Sequence, residues 1–304
     1  MMKIGCAWLY AITKYGYPPS IEDTFNAIRD MAKLGFKYIE IEGLAYDNLK
    51  EVIERRKEIK ELADSLGLKF MNFCPIIHDI VSVDPSKSEK ALKYFEKACE
   101  LAVYLGSDMI QLDSFTPPLE FVGEVPYKEA ISFGLQIRVK IPPEFSWKKF
   151  WDNLVNNFRK AAKIAADHGL KLLMEPRVGE TVSNTDAMLR LIDAVGMDNF
   201  GAVLDTGHLH AQKEILPLSA LKLGDKLFYV HVSDNDGRDN YHLGLGKGTI
   251  DWEGLFLVLK RMGFNGFIAI DVGGSGFKGD IDAEVLQSKR FLEDLMRRLD
   301  IPVE

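Results

Sequence analysis

Ala32-Lys33-Leu34-Gly35-Phe36-Lys37-Tyr38-Ile39-Glu40-Ile41-Glu42 decides the fold, because its pattern recurs along the chain. A helix-forming stretch ends at a glycine, a short step with a polar residue follows, and a run rich in apolar residues comes next. Ala63-Asp64-Ser65-Leu66-Gly67-Leu68-Lys69-Phe70-Met71-Asn72-Phe73 repeats it, and further copies begin at Leu105-Gly106, His168-Gly169, Leu223-Gly224 and Met262-Gly263. Glycine takes the left-handed conformation that closes a helix without steric cost. The apolar run suits a strand buried on both faces, as a parallel sheet covered by helices requires.

Working outward from these copies, the sequence reads as eight strands: Lys3–Trp8, Tyr38–Glu42, Lys69–Phe73, Met109–Asp113, Lys171–Glu175, Gly201–Asp205, Leu227–Val232 and Phe267–Asp271. Amphipathic helices separate them, among them Ile21–Leu34 and the closing Asp282–Leu299. Strict alternation gives an α/β fold, and eight units in 304 residues favour the closed (β/α)8 TIM barrel over an open sheet. No G-x-G-x-x-G follows the first strand, which argues against a dinucleotide fold. The reading is one domain over residues 1–304, with one interruption. Ser114 to Phe145 is too long for a strand-to-helix loop and holds five prolines, at 117, 118, 126, 142 and 143. It reads as an insertion at about 114–145 over the C-terminal mouth, a lid or an oligomer contact with Tyr127–Lys140 as its core.

Composition narrows the function classes. Hydrophobic residues make up 47%, enough for a large core, and the net charge of −7 repels phosphate backbones, so no nucleic-acid partner is expected. No apolar run approaches a membrane span, and the first residues do not form a signal peptide. The three cysteines, Cys6, Cys74 and Cys99, read as reduced buried thiols in a cytoplasmic protein.

The predicted strand ends are polar: Glu42, Asp113, Glu175, Asp205, His231 and Asp271. In a barrel they converge on one mouth, where active sites of this architecture lie. Carboxylates with one imidazole suit a hard or borderline divalent cation, Mn²⁺ first, with Co²⁺, Mg²⁺ and Zn²⁺ also fitting. Taken singly, each could instead cap a helix or satisfy a loop. On four consecutive strands, Glu175, Asp205, His231 and Asp271 read as one metal-ligand set.

The segments Leu173-Met174-Glu175-Pro176, Leu204-Asp205-Thr206-Gly207-His208, Tyr229-Val230-His231-Val232-Ser233-Asp234 and His242-Leu243-Gly244-Leu245-Gly246-Lys247-Gly248-Thr249-Ile250-Asp251-Trp252 resemble the metal-site signatures of the xylose isomerase-like barrels. That superfamily includes ketose 3-epimerases, hydroxypyruvate isomerases, inosose dehydratases and endonuclease IV. The resemblance implies that Glu175 binds metal and also stands beside the reacting carbon, with Asp205 and His231 as pure ligands. It implies a substrate-hydroxyl contact for His208. The last strand departs from the family pattern, which ends in Glu where this chain has Asp271, one methylene shorter.

Other residues carry weaker signals. Arg177 leaves the strand at the mouth and is a candidate for a substrate oxygen. Arg238 could clamp an anion, Lys247 could reach a phosphate or carboxylate, and both suit solvated side chains equally. His242 divides between substrate contact and loop hydrogen bonding, and Trp8 between an apolar substrate wall and rim packing. Glu42 and Asp113 are positions that would select the sugar, while His210 points away.

Proton removal beside a carbonyl needs a base and a charge to hold the enediolate oxygens. Glu175 and Asp271 are the natural pair of carboxylates for this. The expectation is therefore a metal-dependent sugar isomerase or epimerase acting on a small sugar or polyol-derived ketone, as a homo-oligomer. An inosose dehydratase-like lyase needs only one base and stays open, as does a non-catalytic sugar-binding barrel. An endonuclease IV-like hydrolase would need histidines on strands three and four, where this chain has none, and an Asp where it has Asn240.

Overall fold

The computed structural model describes residues 1–122, 138–274 and 277–304. Eight parallel strands close into a barrel in chain order. They are β1 (Lys3–Cys6), β2 (Tyr38–Leu44), β3 (Lys69–Ile76), β4 (Met109–Leu112), β5 (Lys171–Met174), β6 (Phe200–Asp205), β7 (Leu227–Val232) and β8 (Phe267–Ile270). β1 pairs with both β2 and β8, so no sheet edge remains. Gly106 closes the helix Pro85–Leu105 at φ 87°, and the other five glycines of the repeat share its positive φ. Among the described residues no helix is long and apolar enough to cross a membrane. All three cysteines are free and buried.

The strand boundaries differ from expectation by up to three residues. β1 stops at Cys6 because the carbonyl of Trp8 already accepts from Ala11 N at 2.8 Å and Ile12 N at 3.2 Å, opening the helix Leu9–Tyr15. Residues 123–137 of the expected insertion, and so most of its core, lie outside the described residues. On either side, Glu120–Phe121 pairs antiparallel with Val139–Lys140.

The barrel interior is layered because alternate residues of each strand point inward. The lower layer is apolar: Tyr38, Met71, Met109, Leu173, Val203, Tyr229 and Ala269 pack together with Ala7. Two residues further along each strand the inward positions turn polar: Glu40 on β2, Gln111 on β4, Asp205 on β6 and His231 on β7, with Glu175 and Asp271 just past β5 and β8. A register shift opposite Ile39/Glu40 lets β3 send both Met71 and Asn72 inward. The thioether of Met71 occupies the space that the missing side chain of Gly5 leaves. Valine at position 5 would collide with Met71 and with the Tyr38 carbonyl. Gly5→Val should therefore cost about 2–3 kcal/mol of stability. Denaturant unfolding of the two proteins measures it, and an unchanged midpoint would contradict this packing.

Candidate active site

The polar layer is joined by a closed circuit of contacts. Glu175 Oε1 lies 2.6 Å from His231 Nδ1, and the other ring nitrogen, Nε2, lies 3.0 Å from Glu40 Oε1. The Asn72 amide donates to Glu40 at 3.4 Å and to Gln111 Oε1 at 3.0 Å. Gln111 donates to Asp113 at 3.4 Å, Asp113 accepts from Arg177 Nη1 at 2.6 Å, and Arg177 Nε returns to Glu175 Oε2 at 3.4 Å. Five strands or strand ends thus meet in one ring of side chains, nearly all of it buried.

Asp205 joins this ring from one side. Its Oδ1 caps the helix Thr206–Ala211 by accepting from His208 N at 2.7 Å. Capping accounts for one oxygen only. The other, Oδ2, is buried, accepts no hydrogen bond among the described residues, and lies 3.8 Å from His231 Nδ1. Glu175, Asp205 and His231 each offer a ligand atom within 4.8 Å of the others, the spacing of a group that could hold a metal ion. Gly207 lets the backbone after Asp205 approach closely, since a methyl there would collide with Ser233 Oγ and press on Asp205.

Charge is crowded here. Burial, together with Glu175 and Asp271, pushes the Asp205 carboxyl up to about 7, against the opposing pull of His242. Burial would also raise Glu175, but His231 and Arg177 outweigh it and hold the group at about 2. Burial disfavours a charged His231, yet Glu40 and Glu175 on its two nitrogens keep its pKa well above the usual histidine range. A carboxylate-rich, water-poor centre with an orphaned oxygen is chemically suited to a divalent cation.

The mouth side of the ring forms a cavity walled by Leu9, Ile12, Tyr17, Leu44 and Phe115 on its apolar side. Glu42, Asp113, Glu175, Arg177, His231, His242 and Asp271 line the rest. Burial, with Glu40 nearby, pushes the Glu42 carboxyl well up, so it can donate a hydrogen bond. Arg177 is held by Asp113 and stands 3.9 Å from Glu180. Glu180 in turn accepts from Ser114 N, Ser114 Oγ and Phe115 N at 2.9–3.1 Å, tying the loop after β4 to the loop after β5.

A model of the xylose isomerase-like TIM barrel matches residues 28–295. The chain belongs to that family. Its relatives include the hydroxypyruvate isomerase of Escherichia coli, 28% identical over 137 residues, 43% of this chain and 52% of that protein. The chain thus spans about half the length of that relative. The L-ribulose 3-epimerase of Methylomonas sp. is 27% identical over 81% of this chain and 77% of that protein. Among solved structures, D-allulose 3-epimerase from Methylomonas sp. in complex with D-allulose superposes with a TM-score of 0.72 at 20% identity over 96% of each chain. That likeness speaks for the fold. The family therefore contains isomerases and epimerases, and its relatives support an enzyme at the level of the family.

Within this family barrel, the expected residues divide. Glu175, Asp205 and His231 come together, and Glu42, Asp113, Arg177, His242 and Asp271 line the same cavity. Asp271 is outside the Glu175–Asp205–His231 grouping. Its Oδ2 lies 2.9 Å from His242 Nδ1, a nearer partner for a side chain one methylene short. His208 is buried and is not among the cavity-lining residues. Val178 N–H at 3.2 Å and the Asn240 amide at 3.0 Å hold its Nδ1. With Asp205 and His242 it forms a second grouping of metal-ligand spacing.

Three expectations need correction. Trp8 packs into the core at 1% exposure rather than walling the cavity, because the helix begins at the next residue. Arg238 is exposed and pairs with Asp239 and Asp236, whose turn directs it outward. Lys247 pairs with Glu284 on the closing helix Ile281–Arg298, away from the cavity. Glu40, Asn72, Gln111 and Glu180 were not singled out from the sequence. The signal for Glu40 is the Glu40–Ile41–Glu42 spacing, which puts two carboxylates on one face of a strand.

Arg177 is the counter-charge for three carboxylates, so Arg177→Met should destabilise the fold by about 3–5 kcal/mol at neutral pH. The penalty should shrink in acid. Arg177 helps hold Glu175 at about 2. Without the guanidinium that carboxyl rises, so the variant takes up a proton on folding that the wild type does not, and the penalty shrinks as pH falls from about 8 towards 4. Urea unfolding of both proteins at two pH values in that window tests the sign, and a pH-independent difference would contradict it.

Proposed function

We propose that this chain is a metal-dependent isomerase or epimerase that removes a proton beside the carbonyl of a small sugar or polyol-derived ketone. The observation that carries this reading is the orphaned, buried Oδ2 of Asp205 beside Glu175 and His231 Nδ1. Glu175, Asp205 and His231 are the proposed ligands, with Mn²⁺ the best match to two carboxylates and one imidazole and Co²⁺, Mg²⁺ or Zn²⁺ as further fits. A divalent cation there supplies positive charge beside the substrate's carbonyl and hydroxyl oxygens, against which negative charge develops as the carbon loses its proton.

The chain's own residues do the rest. Glu175, ionised at neutral pH, takes the proton and returns it. Asp271, kept ionised against burial by His242, faces the same cavity and serves the other side of the carbon. Arg177 directs its guanidinium at a substrate oxygen, while Glu42 and Asp113 select among hydroxyl patterns. The apolar wall of Leu9, Ile12 and Phe115 excludes water from the carbanion-like carbon. Relatives named as an L-ribulose 3-epimerase and a hydroxypyruvate isomerase support this class of reaction, and the D-allulose complex supports a small sugar as ligand.

Two outcomes follow. Held protonated between Glu40 and Glu175, His231 must release that proton to bind a cation. Affinity for Mn²⁺ should therefore rise about tenfold per pH unit around neutrality. Titration calorimetry at several pH values checks the slope, and His231→Ala should abolish binding. Incubation of the Mn²⁺-loaded protein in deuterated water with ketoses, their phosphates and inososes should place deuterium on the carbon beside the carbonyl. Glu175→Gln should slow that exchange by about 10²–10⁴-fold. Loss of water instead of exchange would replace the isomerase with a dehydratase, and no reaction across the panel would remove the sugar reading.

A further inference from the structure

We infer that Glu40 is the positioning residue that fixes the proton of His231 on Nε2 and aims its Nδ1 at the cation, an inference that rests on the metal site proposed above. Three observations lead there. The two nitrogens of His231 face different surroundings. Nδ1 lies 2.6 Å from Glu175 and 3.8 Å from the orphaned oxygen of Asp205, so it is the nitrogen on the cation's side. Nε2 lies on the other side of the ring, 3.0 Å from Glu40 Oε1. An imidazole that gives one lone pair to a cation must carry its hydrogen on the other nitrogen, and that N–H needs an acceptor.

The second observation is the burial of Glu40. It is 4% exposed and stands directly above the apolar floor of Tyr38, Met71 and Tyr229. His231 is its ion-pair partner, and the Asn72 amide and the Tyr229 hydroxyl donate to it as well. A buried carboxylate is expensive without such a partner. The third is rigidity. Asn72 is itself held by Gln111, and the Tyr229 ring stacks edge-on to His231 at 5.4 Å, so neither Glu40 nor the imidazole can turn freely. Glu40 is not itself a lining residue of the cavity and reaches it through His231.

Outer partners of this kind change metal affinity by about 10–100-fold. Glu40→Gln keeps the shape and an acceptor oxygen but removes the charge. Calorimetry with Co²⁺ should show affinity lowered by about tenfold or more, and the visible absorption of the Co²⁺-loaded protein should shift as the imidazole becomes a weaker donor. A merely structural role would lower the melting temperature of the metal-free protein and leave the Co²⁺ band and affinity of the folded protein at wild-type values. That result overturns the inference. If E40Q does not fold, Glu40→Asp is read by the same two measurements. The wild type gives an independent reading. With ¹⁵N-labelled histidine and Zn²⁺, one ring should carry metal on Nδ1 and a slowly exchanging proton on Nε2. Metal on Nε2 of that ring overturns the inference as well. A wild type that binds none of these ions fails differently, because it removes the metal site itself.

Discussion

His231 stands between two buried carboxylates, Glu175 at 2.6 Å and Glu40 at 3.0 Å, and the charge balance of the barrel mouth turns on that arrangement. Burying acids is costly unless each meets a cation or several donors. Here the protein supplies two positive centres, His231 and Arg177, and sets Glu40 of β2, Asp113 after β4 and Glu175 after β5 around them. Asp205 is the acid this scheme leaves over. One of its oxygens is absorbed by a helix N-terminus, and the other has no partner among the described residues. That remainder is what suits the centre to a cation.

The barrel's layering explains why the site is at this depth. Alternate residues point inward, so an apolar floor two residues below the polar layer seals the centre from the solvent at the other end. Met71 fills the gap above Gly5, and the register shift beside Glu40 brings Asn72 into the polar layer where an even alternation would have turned it outward. Fold and site are therefore built by one device. Floor residues and polar-layer residues alternate along the same strand, as Tyr38 and Glu40 do on β2 and Tyr229 and His231 do on β7.

Much of this was legible in the sequence. The glycine-ended repeat marked six of the eight strands, the runs from Lys3 and Gly201 supplied the other two, and reading the strand ends singled out Glu175, Asp205 and His231. The same habit of reading only strand ends missed Glu40, Asn72 and Gln111, which lie two residues deeper and reach the site only because the barrel closes. Two further residues have partners distant in sequence. Lys247 answers Glu284, 37 positions away. Asp271 is drawn aside by His242, 29 positions before it. Local spacing carries no information about such pairings. Arg238 and Trp8 are placed by local causes: Asp236 and Asp239 turn Arg238 outward, and the helix starts one residue after Trp8.

The most direct measurement is anomalous diffraction at the Mn edge from crystals grown with Mn²⁺. One strong peak is predicted between Glu175, Asp205 and His231, within about 2.5 Å of His231 Nδ1, with Glu40 still on Nε2. A peak confined to the Asp205–His208–His242 grouping, or no peak among these side chains, would contradict the account.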